Sequence, residues 1–383
     1  MANNRVTFVV NYAAFFVSHR LPLALGAREA GFDVCLLTGQ AGSEEMEQVA
    51  MKQLEAAGLP HRRVLFSSSG MNPLIELAGV LQLVWFILGF RPDIVHCASP
   101  KGVLYGGIAA RLCRVRSLVL AISGMGYAYT AGSSKSGLRA LAQRVYGLLA
   151  GFAFHHPNVR VIVQNPDDRQ TVIDKGLAPR SSLVLIPGSG VDLSLFAGCT
   201  PADKAPVVLL PARMLKDKGV VEFMEAARQI KTKAPGWRFV LAGSASYDNP
   251  SAIAASELQA WQAEGWVEWL GHVDDMVPLF REAAIVCLPS YREGMPKALL
   301  EAAAAGCAVV TTDVTGCREA IEPGATGMLV PARDSQGLAD ALLSLIVDEA
   351  RRRGYGARGQ ERARAMFSLT SVVSQTIQIY RES

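Results

Sequence analysis

The alternation of short apolar runs with helix-length segments is the feature that most constrains how this chain can fold. The runs are rich in Val, Ile and Leu and mostly apolar on both faces, as in buried parallel strands. Since parallel strands are joined by crossover helices, the alternation predicts an α/β protein with doubly wound sheets. The predicted strands are 6–10, 33–37, 93–97, 117–122, 159–163, 183–186, 206–210, 237–241, 267–270, 285–288, 308–312 and 327–330, and predicted helices include 44–57, 103–112, 220–232, 335–347 and 370–380.

The alternation breaks once, over 187–206, where glycines and prolines replace any periodic pattern. A length of 383 residues also favours two domains over one very large core. Ligands of such sheets bind at the carboxyl ends of the strands, so two Rossmann-like domains facing each other would share one cleft. We predict a first Rossmann-like domain over 1–186, a linker over 187–206, a second Rossmann-like domain over 207–365 and a C-terminal helix within 366–383 that crosses back to the first domain.

Composition excludes several classes of protein. Half of the residues are hydrophobic and 19% are charged, which excludes a disordered, fibrous or low-complexity chain. The seven cysteines are odd in number and form no C-x-x-C pair, which argues against a disulfide framework or a thiolate zinc site. The N-terminal residues lack the pattern of a signal peptide. Together these features favour a reducing, cytoplasmic location.

The charge is unevenly distributed along the chain. Residues 1–186 contain 18 Lys and Arg against 11 Asp and Glu, a net charge of +7, whereas the remainder has a net charge of −3. Such a basic first half could contact nucleic acid, an anionic membrane or a phosphorylated substrate. Nucleic acid ranks last, because no helix-turn-helix, RNP or zinc-finger pattern accompanies the charge.

Two segments of the first half are candidate membrane contacts. The most hydrophobic, 74–90, has 17 residues and includes Glu76, whereas a spanning helix needs about 20 apolar residues. A buried or interfacial helix is therefore preferred to a transmembrane one. Segment 136–150 has one apolar face with arginines off that face, which predicts packing on its own sheet, with an anionic bilayer as the alternative.

The most informative stretch for function runs from Cys287 to Gly306. A strand ends at Leu288 and a loop follows. Pro296 occupies the position suited to a first helical residue, and an Ala/Leu-rich helix is predicted over 297–305. The free amides of that helix N-terminus suit an anion or a hydroxyl group, and Gly294 lets a ligand approach closely.

Two carboxylates are spaced within this stretch. Glu301 follows Glu293 by eight residues, so one lies on the loop and the other on the helix. They could hold two hydroxyl-bearing parts of one ligand. By spacing alone they could equally be a solvated acid and a helix-surface acid, and it is the strand–loop–helix context that favours a binding site.

A second candidate element carries two cations. Arg213 and Lys218 follow the first strand of the second domain, and a helix opens at about Gly219. A guanidinium fork and an ammonium point charge suit a diphosphate, and neutralising its charge improves it as a leaving group. The alternative is a pair of solvated surface cations.

Together these elements resemble those of the GT-B family 4 glycosyltransferases, which are retaining enzymes that use nucleotide sugars. The resemblance extends over nearly the whole chain and is greatest to the subfamily that extends lipid-linked oligosaccharides, including bacterial transferases that add N-acetylgalactosamine to undecaprenyl-diphosphate-linked sugars. Further segments that carry it are Gly243, Gly271-His-Val273, Gly188-Ser-Gly-Val-Asp192, Asp93-Ile-Val-His96, Ser99-Pro-Lys101-Gly and Ile122-Ser-Gly-Met-Gly126.

The resemblance implies a donor site for a UDP-sugar. Glu301 would bind the ribose hydroxyls, Glu293 the hexose hydroxyls, and Arg213 and Lys218 the diphosphate. The other implied donor contacts are Gly294, Met295, Pro296, Lys297, Gly243 and Val273, the last through backbone near the base.

It also implies a polyprenyl-diphosphate-linked sugar as acceptor, and contacts in the basic first half. His19 and Arg20 are predicted to open the first helix beside the cleft. Many relatives carry a second histidine where this chain has Ala98, so no catalytic role for a histidine is carried over. His96 could instead be a packed strand-end histidine. The candidate acceptor residues are His19, Arg20, His96, Ser99, Lys101 and Gly124.

No metal or cofactor is expected. A GT-A enzyme would need an Asp-x-Asp pattern to hold Mg²⁺ or Mn²⁺ on the diphosphate, and the sequence has none. The resemblance implies that the two cations replace the metal. It further implies front-face attack with retention, in which the leaving phosphate helps to deprotonate the acceptor and no protein nucleophile is needed.

The resulting hypothesis is a cytoplasmic glycosyltransferase, peripherally associated with the inner face of the cell membrane, that moves an N-acetylhexosamine during polysaccharide or glycan assembly. Three alternatives stay open: a sugar-nucleotide 2-epimerase of the same fold, a glucan synthase using ADP-glucose, and a non-catalytic nucleotide-sugar-binding or scaffold protein.

Overall fold

The structure, a computed structural model, describes residues 4–40, 44–67, 72–124, 147–245 and 249–382. It contains two compact units, one formed by Met1–Ser189 with Val372–Ser383 and the other by Gly190–Ser371. Each unit is built on a parallel β-sheet. The predicted α/β class with two Rossmann-like domains is therefore confirmed.

The first unit contains a seven-stranded sheet in the order β3-β2-β1-β4-β5-β6-β7, and all of its pairings are parallel. The order reverses direction between β1 and β4, which is the switch point where ligands of such sheets bind. Its strands are β1 Arg5–Val10, β2 Asp33–Gln40, β3 His61–Ser67, β4 Ile94–Ala98, β5 Ser117–Ile122, β6 Val159–Val163 and β7 Leu183–Leu185.

Helices cover both faces of this sheet. Alternate strand residues therefore pack into two different apolar clusters, one on each face. Val9 of β1 packs into one cluster, and Phe8 into the other. The helices are α1 Ala13–His19, α2 Leu21–Glu29, α3 Glu44–Ala56, α4 Pro73–Phe90, a π-helical turn Gly102–Gly106, α5 Gly107–Leu112, helical residues 147–154, α6 Pro166–Asp174 and a 3₁₀ turn Arg180–Ser182.

The second unit contains a six-stranded parallel sheet in the order β10-β9-β8-β11-β12-β13. Its switch point lies between β8 and β11. Its strands are β8 Ala205–Pro211, β9 Arg238–Ala242, β10 Glu268–Trp269, β11 Ala283–Leu288, β12 Ala308–Thr312 and β13 Gly327–Val330. Its helices are α7 Val220–Lys231, α8 Ala255–Ala263, α9 Val277–Glu282, α10 Lys297–Ala305, α11 Cys317–Ala320, α12 Ser335–Val347 and α13 Glu349–Met366, with 3₁₀ turns Leu193–Phe196 and Lys216–Lys218.

The last helix, α14 Leu369–Arg381, belongs mostly to the first unit. Only its first three residues are part of the second unit, and from Val372 onward it packs with the first. Gly26 of α2 makes this packing close, since a Cβ there would lie 2.5 Å from a methyl of Val373.

Three details of the sequence prediction are wrong. Strand β3 was not predicted, because its His-Arg-Arg start looks polar and an edge strand tolerates such residues. His19 and Arg20 do not open the first helix: α1 ends at His19, since Pro22 lacks an N–H and cannot continue it, and Arg20 is the N-cap of α2. Pro296 is the N-cap of α10, with an extended ψ of 111°, and not a helical residue, although the predicted helix bounds of 297–305 are confirmed.

The apolar segment predicted at 74–90 forms α4, and only one of its faces is buried. Among the described residues it is the one helix whose length and composition would suffice to cross a membrane. Segment 136–150 lies outside the described residues, except for its last four.

Candidate functional site

Two loops lie at the switch point of the second sheet, where strands β8 and β11 are neighbours. The cation loop, residues 212–219, follows β8 and contains Arg213 and Lys218. The acid loop, residues 289–296, follows β11 and contains Glu293. Because the strands are parallel, both loops emerge at the same edge of the sheet.

Glu293 and Lys218 form the central contact between these loops. The Lys218 Nζ donates to Glu293 Oε1, and the Ser290 hydroxyl donates to the same oxygen at 2.7 Å. Both charged side chains are largely shielded from solvent, with 13% of Glu293 and 22% of Lys218 exposed. The carboxylate is therefore oriented by a cation and a hydroxyl before any ligand arrives. Ser290 was not predicted, although it lies in the stretch that the sequence singled out.

Backbone contacts hold the two loops together. The Tyr291 N–H donates to the Asp217 carbonyl at 2.9 Å. Gly219 has a φ of 72°, and a Cβ on it would lie 2.1 Å from the Pro289 carbonyl oxygen. Only glycine allows this approach.

A second glycine supports the acid loop from below. Gly316 has a φ of 84°, and a Cβ on it would lie 2.6 Å from the carbonyl oxygens of both Glu293 and Gly294. Its N–H donates to the Glu319 carboxylate at 2.6 Å. Gly316 was not predicted, since its one signal in the sequence is a glycine between a buried strand and the short helix α11.

Arg213 differs from Lys218 in its surroundings. Its side chain is exposed and makes no hydrogen bond or ion pair with any residue that the structure describes. Lys218 is already paired with a carboxylate. The guanidinium of Arg213 is therefore the more available positive charge of the predicted pair.

A pocket of about 230 Å³ lies in the second unit, and Glu301 of α10 is part of its wall. The Lys297 Nζ lies 3.3 Å from Glu301 Oε1, one helical turn away. Burial raises the pKa of Glu301, and the charge of Lys297 opposes that rise. The lining residues are Pro211, Ala212, Ala242, Gly243, His272, Val273, Met276, Phe280, Ala298 and Glu301.

Three predicted donor residues, Glu301, Gly243 and Val273, thus surround one pocket. Gly243 permits the close packing of its wall, since a Cβ there would lie 1.9 Å from the Ala212 carbonyl oxygen. The Gly243 carbonyl accepts a hydrogen bond from the Trp269 indole at 2.9 Å. Most of the residues that line the pocket are apolar, and Glu301 provides its one carboxyl group. This is the usual composition of a small-molecule site.

The remaining predicted donor residues lie where the acid loop meets α10: Gly294, Met295 and Pro296 are on the loop, and Lys297 is the first residue of the helix. The Leu299 N–H donates to the Pro296 carbonyl at 2.9 Å, which defines the start of the helix. Met295 is buried in an apolar cluster, so only its backbone can face a ligand. The N-terminal end of the helix dipole attracts negative charge at this point.

In the first unit, Ser99 takes part in a hydrogen-bond network at the switch point. Its hydroxyl donates to Asn11 Oδ1 and accepts from the Asn11 N–H, both at 2.8 Å. The Gly102 N–H donates to the same Asn11 side chain at 2.9 Å. These bonds join the ends of β1 and β4 and give Ser99 a structural role, and its acceptor contact stays a prediction.

His96 is a packed strand residue, the alternative that the sequence left open. It is buried, and its Nδ1 lies 2.6 Å from the hydroxyl of Tyr380 on α14. Burial, together with the nearby charge of Arg20, lowers the pKa of His96 well below its ordinary value, so the ring stays neutral. Arg20 is also buried, and burial lowers its pKa to about 10.

The other acceptor candidates differ in their local surroundings. His19 stacks on Phe15 with the ring centres 4.7 Å apart. Lys101 pairs with Glu76 of α4 at 2.9 Å. Gly124 is half-buried and has a φ of 113°. The contacts of these residues with an acceptor stay a prediction.

Within the described ranges, no group of three or more His, Cys, Asp or Glu residues is arranged to hold a metal ion.

The side chain of Tyr291 links the acid loop to helix α7. Its hydroxyl donates to Glu222 Oε1 of α7 at 2.6 Å, and Arg333 stacks on its ring at 4.5 Å. Burial, followed by the interaction with Glu222, raises the pKa of Tyr291 to about 12.

We expect Tyr291→Phe to lower the free energy of unfolding by about 1–3 kcal/mol, because a buried carboxylate loses its donor. Urea unfolding measures this change. Glu222→Gln keeps an acceptor and should cost less, and equal stability of all three proteins would show that the bond contributes nothing.

Two family models match the chain, and together they span most of it. The glycosyl transferase 4-like domain matches residues 18–188, and the glycosyl transferases group 1 domain matches residues 205–348. The chain belongs to the family 4 glycosyltransferases. The predicted family is therefore confirmed.

Similar proteins agree with this assignment. The glycosyltransferase is 29% identical over 359 residues, 90% of either chain, to the N,N'-diacetylbacillosaminyl-diphospho-undecaprenol α-1,3-N-acetylgalactosaminyltransferase of Campylobacter jejuni. It is 26% identical over 380 residues, 94% of this chain and 89% of the other, to a glycogen synthase of Mycobacterium tuberculosis.

Among solved structures, Anabaena HepE in complex with UDP superposes with a TM-score of 0.76 at 20% identity, covering 99% of this chain and 100% of that chain. This similarity confirms the predicted GT-B fold.

Proposed function

We propose that this glycosyltransferase moves an N-acetylhexosamine from a UDP-sugar to a polyprenyl-diphosphate-linked sugar during assembly of a bacterial surface polysaccharide or glycan. The similarity to the Campylobacter enzyme carries this proposal. The name of that enzyme specifies a diphospho-undecaprenol acceptor and N-acetylgalactosamine transfer, and the alignment spans 90% of both chains.

The uridine end of the donor is proposed to bind in the pocket beside α10. There the Glu301 carboxyl group would accept hydrogen bonds from the ribose hydroxyls, and backbone near Val273 would contact the base. Anabaena HepE was solved with UDP bound, and its fold is the same.

The diphosphate is proposed to bind between the two loops. Arg213 would take it with two parallel N–H donors, since its guanidinium is exposed and uncommitted among the described residues. Lys218 would add a point charge while staying in contact with Glu293. Glu293, already oriented by Ser290, would accept hydrogen bonds from the hexose hydroxyls.

The proposed reaction retains the anomeric configuration. The acceptor hydroxyl attacks the anomeric carbon on the face from which the β-phosphate leaves, and the leaving phosphate oxygen takes the proton. Positive charge from Arg213 and Lys218 stabilises the negative charge that develops on that phosphate, which is the role a metal ion would otherwise have. We therefore propose metal-independent catalysis, at the inner face of the membrane where such an acceptor resides.

A glucan synthase is the second candidate, because the glycogen synthase of Mycobacterium tuberculosis aligns over 94% of this chain. It would use a soluble acceptor, which the basic first half of the chain does not favour. The donor nucleotide separates the two candidates.

The test is a screen for nucleoside diphosphate release. UDP-N-acetylhexosamines, UDP-hexoses and ADP-glucose are each combined with an undecaprenyl-diphosphate-linked sugar or with a glucan, with and without a chelator. We expect release only from a UDP-N-acetylhexosamine with the lipid acceptor, at a rate that the chelator does not change.

Four results would contradict the proposal. Release from ADP-glucose with the glucan would indicate the synthase. An isomerised UDP-sugar without any acceptor would indicate an epimerase. Binding of UDP without turnover of any pair would indicate a binding protein, and a rate abolished by the chelator would refute metal independence.

A further inference from the structure

Helix α4, Pro73–Phe90, is apolar all round, yet only one of its faces is covered. Gly79, Leu83 and Ile87 are buried against β3 and the core. The opposite face carries a stripe of large apolar side chains, each 56–76% exposed, at intervals of three and four residues. The members of this stripe are Leu74, Leu77, Leu81, Trp85 and Leu88. A helix that is apolar on every side calls for a second apolar neighbour.

The exposed stripe continues onto the neighbouring helical segments. Helix α5 and residues 147–154 share the core cluster of α4, so all three lie on the same side of the sheet. Leu112 at the end of α5 is 57% exposed, Leu148 is 75% exposed and Phe152 is 38% exposed. We call the exposed apolar side chains of these three segments the outer face. Clusters of this kind on a monomer mark interaction sites.

The charges around the outer face are positive. Arg62 stacks on Phe86 of α4 at 5.7 Å, and Arg111 stacks on Phe152 at 4.3 Å. Arg114 and Arg116 follow α5 and are exposed. The acid on α4, Glu76, does not offset them, because it is buried and paired with Lys101.

We propose that the outer face docks on an anionic lipid bilayer, with α4 lying in the plane of the interface. The inference deepens the proposed function, on which it rests for the lipid nature of the acceptor. A bilayer supplies both of the complements this face requires: hydrocarbon for the stripe and phosphate headgroups for the arginines. Trp85 stands in the middle of the stripe, and tryptophan favours this boundary.

The contacts of α4 argue for docking rather than for spanning. To cross a bilayer, the helix would have to withdraw Leu83 and Ile87 from the core and break the Lys101–Glu76 pair. Removing that many buried apolar groups from a core costs several kcal/mol. A helix lying in the interface keeps all of these contacts.

The test is co-sedimentation with vesicles in the absence of any donor or acceptor. We expect the protein to bind vesicles made of equal parts of phosphatidylcholine and phosphatidylglycerol, and to bind phosphatidylcholine alone more weakly. The double variant Leu81→Glu, Trp85→Glu should reduce the partition about 100-fold or more, because two large side chains no longer enter hydrocarbon. If this variant fails to fold, as judged by thermal unfolding, Leu81→Gln with Trp85→Gln replaces it.

The matched control is Val347→Glu with Met366→Glu. Both residues are exposed apolar side chains of the second unit, and the charge change is the same. This control should bind vesicles like the wild type. Arg114→Glu with Arg116→Glu should weaken binding to the anionic vesicles about tenfold or more, and added salt should reduce the difference.

Three outcomes would overturn the inference. The stripe variant could bind as the wild type does. Alkaline extraction could leave the wild type in the bilayer, which would indicate a spanning helix. The stripe variant could instead convert a dimer into a monomer with vesicle binding unchanged, which would assign the outer face to a second copy of the chain.

Failure of docking can be distinguished from failure of the proposed function. With a short-chain, water-soluble prenyl-diphosphate sugar, the stripe variant should release UDP at the wild-type rate, and only transfer to a vesicle-embedded acceptor should fall. Vesicle binding through the outer face without turnover of any substrate pair would refute the proposed function and leave the docking inference standing.

Discussion

Glu293→Gln is expected to slow UDP release from donor and lipid acceptor by about 100- to 1,000-fold, the usual cost of removing one electrostatic contact to a transition state. The substitution keeps the shape of the side chain and an oxygen that can accept from Ser290. It removes the negative charge that pairs with Lys218. Hexose hydroxyls that bind the carboxylate would lose a charge-assisted hydrogen bond, and Lys218 would be free to move away from the acid loop.

The stability of this variant should fall only modestly, because the amide that replaces the carboxylate can still accept from Ser290 and from Lys218. A thermal unfolding midpoint close to that of the wild type would separate lost chemistry from lost folding. The ratio of kcat to KM carries further information: a contact made only in the transition state lowers kcat, whereas one made equally in the ground state raises KM.

The matched control is Glu349→Gln. Glu349 pairs with Arg353 one turn along α13, on an exposed face of the same unit. The same loss of charge there should leave turnover unchanged, since exposed pairs contribute little. Near-normal turnover of Glu293→Gln would refute the assignment of the hexose contact to the acid loop.

Much of the fold could be predicted because buried parallel strands have a distinctive sequence pattern. Ser117–Ile122 and Ala308–Thr312, for example, have the predicted bounds, since each is apolar on both faces and ends at a polar or glycine-containing loop. The edge strand His61–Ser67 has one solvated face, and its polar start hid it. The end of the first helix was not predicted, because Pro22 ends α1 three residues ahead of itself and stands near the start of α2.

The site could be predicted only in part, because spacing identifies residue types and loops but not partners. Both predicted loops do lie at one switch point. The pairing of Lys218 with Glu293 and the support from Gly316 depend on contacts between distant parts of the chain. A sequence pattern also does not show which polar residues are buried. Arg20 and His96 were predicted as candidate acceptor contacts, and both are buried near Tyr380.

Arg213→Ala is the second large effect that we expect, again about 100- to 1,000-fold in UDP release. The reason differs from that for Glu293. Arg213 has no partner among the described residues, so its removal leaves no buried group unpaired and should not change the free energy of unfolding. The whole effect should appear in the interaction with the donor diphosphate. Affinity for UDP alone, measured by calorimetry, should fall about 10- to 100-fold, the value of a charge-assisted contact.

Arg213→Lys and Arg364→Ala complete this experiment. Lysine restores the charge but not the two-pronged donor geometry, so it should recover part of the UDP affinity and less of the rate. Arg364 is another exposed arginine of the second unit, on α13, and its loss should change neither quantity. If Arg213→Ala kept its UDP affinity and its rate, Lys218 would have to supply the positive charge that neutralises the diphosphate. It could do so only by giving up part of its contact with Glu293. In that case Glu293→Gln, which releases Lys218, would strengthen UDP binding. The UDP affinities of the two variants measured together therefore decide which cation binds the diphosphate.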